Sequence, residues 1–205
     1  MKSIRLLRHA ESAANAGLPT SDPGEIPLTA HGRAAAECAA REYDGPAPKL
    51  IVVSPFLRAR QTAEPFIMRF PAATVETTWP VQEFTYISPQ RCLQTTFEDR
   101  RPLVEGYWSK ASPGYVDGPG TESFAGFIAR VRESLAKLKE REEETILVVC
   151  HEMFMQAAKF YNQPGENPHD ADSMRRFFNY KRMDPVPNLG WRDLPGLPPE
   201  PPTSR

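Results

Sequence analysis

Three short apolar runs stand out along the chain, each of a length that fits one strand. They are SIRLLR (3–8), KLIVVS (49–54) and TILVVC (145–150). All three are rich in leucine or β-branched residues, which is typical of strands buried inside a sheet. We therefore predict three buried strands at these positions.

Segments with helical character separate the runs. The stretch TAHGRAAAECAAREY is rich in alanine, and Thr29 is a suitable N-cap for it. A second helix is predicted over LRARQTAEPFIMRF, where Pro65 is expected to bend or interrupt it. From Thr121 onward, apolar residues follow the spacing of one helical face: Phe124, Phe127, Ile128, Val131, Leu135 and Leu138. Strands that alternate with helices predict an α/β fold, a three-layer sandwich with a mostly parallel central sheet flanked by helices.

The end of the chain has a different composition. Prolines are frequent from Asp184 to Arg205, and such a segment builds neither a helix nor a central strand. We predict one domain over 1–183, whose last element, MRRFFNYKRM, packs its aromatic residues as an amphipathic edge element. We expect 184–205 to be a loosely packed proline-rich tail. The alternatives are a segment that lies along the domain through Trp191 and Leu194, a subunit contact, or a polyproline ligand.

Polar side chains follow each of the predicted strands. Arg8 and His9 end the first strand, Ser54 and Arg58 follow the second, and His151 comes directly after the third. Ligands of open α/β sheets bind outside the carboxyl ends of the strands. We therefore expect these side chains to surround one site.

This set of side chains suits the chemistry of a phosphate monoester. Guanidinium groups bind phosphate oxygens through paired, charge-assisted hydrogen bonds, which assigns Arg8 and Arg58 to phosphate binding. A neutral imidazole can attack phosphorus, which makes His9 the candidate nucleophile, with His151 as a further catalytic and phosphate-binding donor. Because nearby positive charge lowers the pKa of histidine, the two arginines are expected to keep His9 unprotonated.

The leaving alkoxide needs a proton, and Glu83 is the candidate general acid. It lies in a proline-containing loop, within ATVETTWPVQEF, that follows a β-rich segment at 73–79. A carboxyl group there can approach the same site and protonate the leaving group. Glu83 would then accept a proton from the water that cleaves the phosphohistidine.

Composition narrows the remaining possibilities. The 205 residues suit a single domain, and 25 Lys and Arg against 26 Asp and Glu give a net charge of −1. The chain therefore has no general attraction for nucleic acid or acidic membranes. We see no secretion signal and no apolar stretch near the ~20 residues of a membrane span. An odd number of cysteines suits a reducing compartment, so we expect a cytoplasmic protein. The three cysteines do not have the spacing of metal ligands, and we expect neither a metal nor another cofactor.

Five segments in register resemble the histidine phosphatases, also called the phosphoglycerate mutase-like superfamily. They are LRHAESAAN, PLTAHGRAAA, SPFLRARQTA, PGTESFAGFIARV and LVVCHE, which together span about residues 3–160. The resemblance implies the fold of that superfamily, His9 as nucleophile, and Arg8 and Asn15 as phosphate ligands. It also implies Arg58 as the second clamp arginine, Glu83 as proton donor and His151 as the second histidine.

The chain departs from the family pattern beside each histidine, where many members have glycine. Ala10 is a mild change, whereas the carboxylate of Glu152 would repel phosphate if it turned inward. Glu152 would then select a substrate with a positive group, or it points away from the site. Segment 84–118 is where such proteins vary and where substrate choice is usually set. Its candidate substrate contacts are Arg91, Arg100, Arg101, Tyr107 and Trp108.

These features predict a metal-independent phosphatase that works through a phosphohistidine on His9. Its substrate is expected to be a small phosphorylated molecule or a phosphoprotein, and the sequence does not indicate an oligomeric state. One alternative is phosphoglycerate mutase-type phosphotransfer, which needs the same residues and a phosphoenzyme shielded from water. A second is a non-catalytic phospho-ligand-binding scaffold. A metal-dependent hydrolase is disfavoured because no His-x-x-x-His or comparable ligand spacing is present.

Overall fold

A computed structural model of the protein describes residues 2–161 and 166–194. The strands within these ranges are β1 (Ser3–Arg8), β2 (Leu50–Val53), β3 (Thr74–Glu76), β4 (Thr145–Cys150) and β5 (Trp191–Leu194). The helices are α1 (Ala30–Glu42), α2 (Leu57–Arg69), α3 (Phe97–Lys110), α4 (Phe124–Glu140), α5 (Glu152–Phe160) and α6 (Ala171–Met183). A short 3-10 helix covers Pro89–Cys92. None of the helices in the described ranges is long and apolar enough to cross a bilayer.

The strands form a single five-stranded sheet in the order β3-β2-β4-β1-β5. Every pairing is parallel except that of β5, which runs antiparallel along the outer edge of β1. The three apolar runs of the sequence become β1, β2 and β4, the central strands. The predicted α/β architecture with a mostly parallel sheet is confirmed.

Helices cover both faces of the sheet because the strand residues alternate between two apolar clusters. On one face, Leu7, Ile51 and Val149 pack with Phe66 and small residues of α1 and α2. The other face carries a larger cluster in which the strands meet residues of α3, α4, α5 and α6. The apolar stripe that predicted α4 lies entirely in this second cluster: Phe124, Phe127, Ile128, Val131, Leu135 and Leu138.

The start of α1 is held against the loop that follows β1. Thr29 caps the helix by accepting the N–H of Gly32 at 2.9 Å, as predicted, and its hydroxyl donates to the Glu11 carboxylate at 2.6 Å. A Cβ at Gly32 would lie 2.1 Å from the carbonyl oxygen of Glu11. Only glycine therefore allows the helix to approach this loop so closely.

Of the two effects expected of Pro65, a bend or an interruption, the second helix does not show the interruption. Helix α2 continues through Pro65 to Arg69, although the proline removes one backbone donor from the helix. Ala59, Ala63 and Phe66 are fully buried on the sheet. Their burial outweighs a single missing hydrogen bond.

Residues 184–194 are packed against the domain, so the expected loose tail is wrong for this part of the chain. Val186 is buried in the larger cluster, and the backbone of Arg8 pairs with Leu189 and Gly190. Strand β5 then pairs with β1 from Leu7↔Trp191 to Ile4↔Leu194. The segment therefore follows the first of the alternatives, and packing does not stop at residue 183. Residues 195–205 of the predicted tail lie outside the described ranges.

Helix α3 was not predicted from the sequence patterns, whereas α6 contains the predicted edge element MRRFFNYKRM. Helix α3 begins at a capping box in which Thr96 and Asp99 satisfy each other's backbone N–H groups. Its buried residues, Tyr107 and Trp108, contact aromatic side chains of the loop after β3 and of α4 and α6. Helix α6 buries Met174 and Phe177 in the larger cluster, as expected of an amphipathic edge element.

Trp191→Ala is expected to destabilise the protein if 184–194 belongs to the folded domain. The indole packs against Tyr43 and Phe66, with ring centroids 5.4 and 6.0 Å away, and lies under the Arg5 guanidinium. Because the indole is only half-buried, we expect a loss of about 2 kcal/mol in the free energy of unfolding, measured in urea. The control is Met183→Ala at a residue 85% exposed; an equally small loss in both variants would contradict this packing.

Candidate active site

The pairing of β1 with β4 brings the two histidines together. Arg8 and Cys150 are register partners, and the His9 N–H donates to the Cys150 carbonyl at 3.0 Å. The residues that follow each strand are therefore neighbours. The rings of His9 and His151 lie 5.1 Å apart between centroids, as expected from the carboxyl ends of adjacent parallel strands.

The His9 ring is held as a neutral imidazole with its lone pair on Nε2. Nδ1 lies 2.7 Å from the carbonyl oxygen of Ala10, which can only accept, so Nδ1 carries the proton. Nε2 accepts from Arg58 Nε at 3.1 Å. Burial, followed by the charges of Arg58 and then Arg8, lowers the pKa of His9 well below its usual value. Burial thus lowers the pKa of His9 more than either of the two arginines named from the sequence.

His151 is oriented by Ser54, and we assign it the tautomer with its proton on Nδ1. The Ser54 hydroxyl lies 2.7 Å from His151 Nε2 and accepts the N–H of Phe56 at 3.3 Å. We assign the hydroxyl as the donor to Nε2, which leaves the ring proton on Nδ1. Burial and then the charge of Arg58 lower the pKa of His151 well below its usual value. Nδ1 is buried without a hydrogen-bond partner among the described residues, so it has a donor to offer an anion.

Arg58 lies in the first turn of α2, just beyond the end of β2, and is 7% exposed. Its Nη1 donates to the Pro23 carbonyl at 2.7 Å, and the guanidinium stacks 4.9 Å from the Phe56 ring centroid. Thr62 ties this turn to the loop after β1, since its hydroxyl accepts the Ala10 N–H at 3.0 Å. Burial lowers the pKa of Arg58 to about 10, so the side chain stays charged at neutral pH.

Arg8 is the second arginine at the site, and Glu152 is its ion-pair partner. Arg8 Nη1 lies 3.0 Å from Glu152 Oε2 and also donates to the Val186 carbonyl. Glu152 Oε1 accepts the Val186 N–H at 3.2 Å. The carboxylate therefore anchors Arg8 rather than facing a substrate cation. Arg8 Nε is buried and has no partner in the described part of the chain, so this N–H is a second donor available to an anion.

Glu83 reaches the site from the loop after β3. Its oxygens accept the backbone N–H groups of Phe84 at 3.0 Å and Met153 at 3.3 Å. Burial raises the pKa of the Glu83 carboxyl above its ordinary value, against the opposing effects of the Phe84 N–H and the Arg58 charge. A carboxyl group with a raised pKa suits a general acid.

Asn15 is exposed and stabilises the loop after β1. Its Oδ1 accepts from the Ser12 hydroxyl at 2.9 Å and from Asn188 Nδ2 at 3.2 Å. The Nδ2 group of Asn15 is the side-chain donor that could reach a phosphate. The role of Asn15 as a phosphate ligand stays a prediction. Asn188 Nδ2 also donates to the His9 carbonyl at 2.9 Å. Nothing in the sequence pointed to Asn188, because it lies in the segment interpreted as a tail.

Segment 84–118 contributes one of its candidate substrate contacts to the site. Arg100 lines a pocket next to Arg58 and Glu83. Arg91 instead pairs with Asp117, and Arg101 pairs with Glu98 on the surface. Tyr107 and Trp108 are buried in the larger apolar cluster. Within 2–161 and 166–194, no group of three or more His, Cys, Asp or Glu side chains is arranged so that it could hold a metal ion.

Comparison with known proteins places these residues within a described family. The family described as "Histidine phosphatase superfamily (branch 1)" matches residues 4–172. Comparison with curated proteins gives no match.

Solved structures share the fold at low sequence identity. Mycobacterial glucosyl-3-phosphoglycerate phosphatase is 19% identical with a TM-score of 0.67, over 94% of this chain and 89% of that one. A putative α-ribazole-5′-phosphate phosphatase from Escherichia coli is 24% identical with a TM-score of 0.68, over 94% and 90%. Phosphoserine phosphatase from Entamoeba histolytica, in complex with 3-phosphoglyceric acid, is 19% identical with a TM-score of 0.65, over 94% and 90%.

We predict that His9 and His151 are both neutral Nδ1–H tautomers and stay neutral when the pH is lowered to about 6, below the ordinary histidine value. Burial and the neighbouring guanidinium groups disfavour a second proton on either ring. Two-bond proton–nitrogen correlation spectra measure tautomer and charge directly. His9→Asn and His151→Asn assign the signals, and an imidazolium signal from either ring at that pH would contradict the prediction.

Proposed function

We propose, from the premise that this chain belongs to branch 1 of the histidine phosphatase superfamily, that it hydrolyses phosphomonoesters through a covalent phosphohistidine on His9. The observation that carries the proposal is the state of His9 Nε2. This atom holds a lone pair and lies 3.1 Å from Arg58 Nε. The nucleophile is therefore adjacent to a guanidinium that can hold the phosphoryl oxygens.

In the first step, His9 Nε2 attacks phosphorus and the bond from phosphorus to the ester oxygen breaks. Glu83 gives its proton to the departing oxygen, so the products are an alcohol, a Glu83 carboxylate and a phosphorylated imidazolium. The Ala10 carbonyl, which accepts from His9 Nδ1 at 2.7 Å, stabilises the positive charge on the ring. Arg8 Nε and His151 Nδ1 supply donors to the phosphoryl oxygens, where charge is spread in the transition state.

In the second step, water attacks the phosphorylated His9. The Glu83 carboxylate takes a proton from the water, the bond from phosphorus to Nε2 breaks, and inorganic phosphate leaves. His9 returns to its neutral Nδ1–H form and Glu83 is again protonated. Each turnover consumes one ester and one water and yields one alcohol and one phosphate, without a metal or another cofactor.

His9→Ala is expected to abolish both turnover and the covalent intermediate. With an aryl phosphate in excess chelator, we expect its kcat/KM to fall by at least about 1,000-fold relative to the wild type. Acid-labile phosphate trapped on the wild-type protein should be absent from the variant. Phosphate binding without turnover or trapped phosphoprotein would favour a scaffold, whereas rapid isomerisation of 3-phosphoglycerate would favour a mutase.

Glu83→Gln is expected to slow alkyl phosphates much more than aryl phosphates. An alkoxide leaves only with a proton, and general acid help is worth about 100- to 10,000-fold. Wild-type kcat/KM should decline as the pH rises through the raised pKa of Glu83, since the deprotonated carboxyl has no proton to give.

Comparing the pH profiles of the wild type and Glu83→Gln tests whether the alkaline decline of kcat/KM is due to Glu83. Glu83→Gln should lack the alkaline decline, and ionisation of the substrate cancels because it is common to both enzymes. If Glu83→Gln hydrolysed alkyl phosphates at the wild-type rate, Glu83 would not be the proton donor.

A further inference from the structure

The proposed phosphate site opens into a pocket whose walls are mostly apolar. Arg58, which donates to His9 Nε2, and Glu83 are both lining residues of this pocket. Most of the other walls are supplied by apolar and aromatic side chains, among them Ile26, Phe56, Phe84, Tyr86, Ile87 and Val104. A group esterified to a phosphate held by the two arginines would extend into this pocket.

The pocket walls are held in place by the core. Phe84 is 3% exposed and stacks on Phe127 with ring centroids 4.5 Å apart. Tyr86 packs on Phe84 at 5.0 Å and on Tyr107 at 4.7 Å. Ile87 and Val104 pack against the same apolar cluster. The pocket is therefore preformed, and an apolar group can enter it without a cost for ordering its walls.

Few charges face this space. Besides Arg58 and Glu83, the charged side chain in the described lining is Arg100. Arg100 Nε donates to Thr95 at 2.8 Å, and Nη2 donates to Thr20 at 2.6 Å. Most of its guanidinium is thus used to hold the Thr20 and Thr95 loops together. A carboxylate on the leaving group would lose its hydration among apolar walls with little compensation.

We infer that the substrate is a phosphomonoester whose leaving group is apolar, either aliphatic or aromatic, rather than one that carries a second anion. The inference rests on the proposed function for the position of the phosphate, and on the pocket for the chemistry of the leaving group. Phe97, at the start of α3, lines the same pocket and is 62% exposed. It extends the apolar surface toward the solvent.

The test compares n-hexyl phosphate with ethyl phosphate, which share the same leaving-group chemistry and differ in four methylenes. We expect kcat/KM for the hexyl ester to be higher by at least about tenfold, because each methylene moved from water into an apolar pocket favours binding. We also expect the hexyl ester to exceed 3-phosphoglycerate. Turnover in which ethyl phosphate equals hexyl phosphate, or in which 3-phosphoglycerate is best, would overturn the inference and leave the proposed function standing.

Variants of Phe97 test whether the preference for hexyl over ethyl phosphate arises in this pocket. Phe97→Asp should reduce the ratio of hexyl to ethyl kcat/KM by several-fold, while Phe97→Leu, which keeps the position apolar, should restore most of the ratio. The variant is tolerable for folding because an acidic residue suits the first turn of a helix. Met68→Asp, at a residue 74% exposed and outside the pocket lining, is the control. An equal change of the ratio in Met68→Asp and Phe97→Asp would contradict the role of the pocket.

A binding measurement separates this inference from the proposed function. Hexylphosphonate and ethylphosphonate carry the same anionic group and cannot be hydrolysed, so calorimetry with the wild-type protein reports the pocket alone. Tighter binding of hexylphosphonate with no turnover of any ester would support the apolar pocket and overturn the phosphatase. Equal binding of the two phosphonates would overturn the pocket, whatever the outcome of the kinetic test.

Discussion

The structure depends on the parallel pairing of β1 with β4, because this pairing places two histidines side by side in a buried environment. The sheet provides the position, and burial provides the chemical state. An imidazole withdrawn from water and adjacent to guanidinium groups cannot readily take a second proton. His9 is therefore kept as a neutral imidazole by the same packing that closes the core.

A buried charged group is costly unless hydrogen bonds or an opposite charge compensate it, and the charged groups of the site have such contacts. Arg58 donates to a backbone carbonyl and stacks on Phe56, and Glu83 accepts two backbone N–H groups. Arg8 is paired with Glu152, the residue that departs from the family pattern. This carboxylate lies at the N-terminus of α5, where negative charge is favourable. It forms an ion pair with Arg8 and so fixes the position of the arginine.

The segment after α6 contacts the site from the side of β1 that faces away from β4. Val186, Asn188 and Gly190 contact Arg8 and His9 through backbone or side-chain hydrogen bonds. The antiparallel strand β5 follows at once and pairs with β1. A proline-rich composition excludes a central strand, but it allows an edge strand whose outer side needs no partner. The segment that composition marked as a tail therefore supports the strand that leads into His9.

The sequence by itself determined the central strands, the helices α1, α2 and α4, and the group of residues at the strand ends, because local periodicity and strand-end position depend on neighbours in the chain. It also indicated the phosphate chemistry of Arg8, His9, Arg58 and His151. Only the tertiary structure decided that Glu152 pairs with Arg8, that Ser54 orients His151, that Asn188 supports the loop of His9, and that apolar walls line the pocket beside Arg58 and Glu83. These contacts join residues up to 179 positions apart in the chain, and their distances are fixed by packing, which no local pattern encodes.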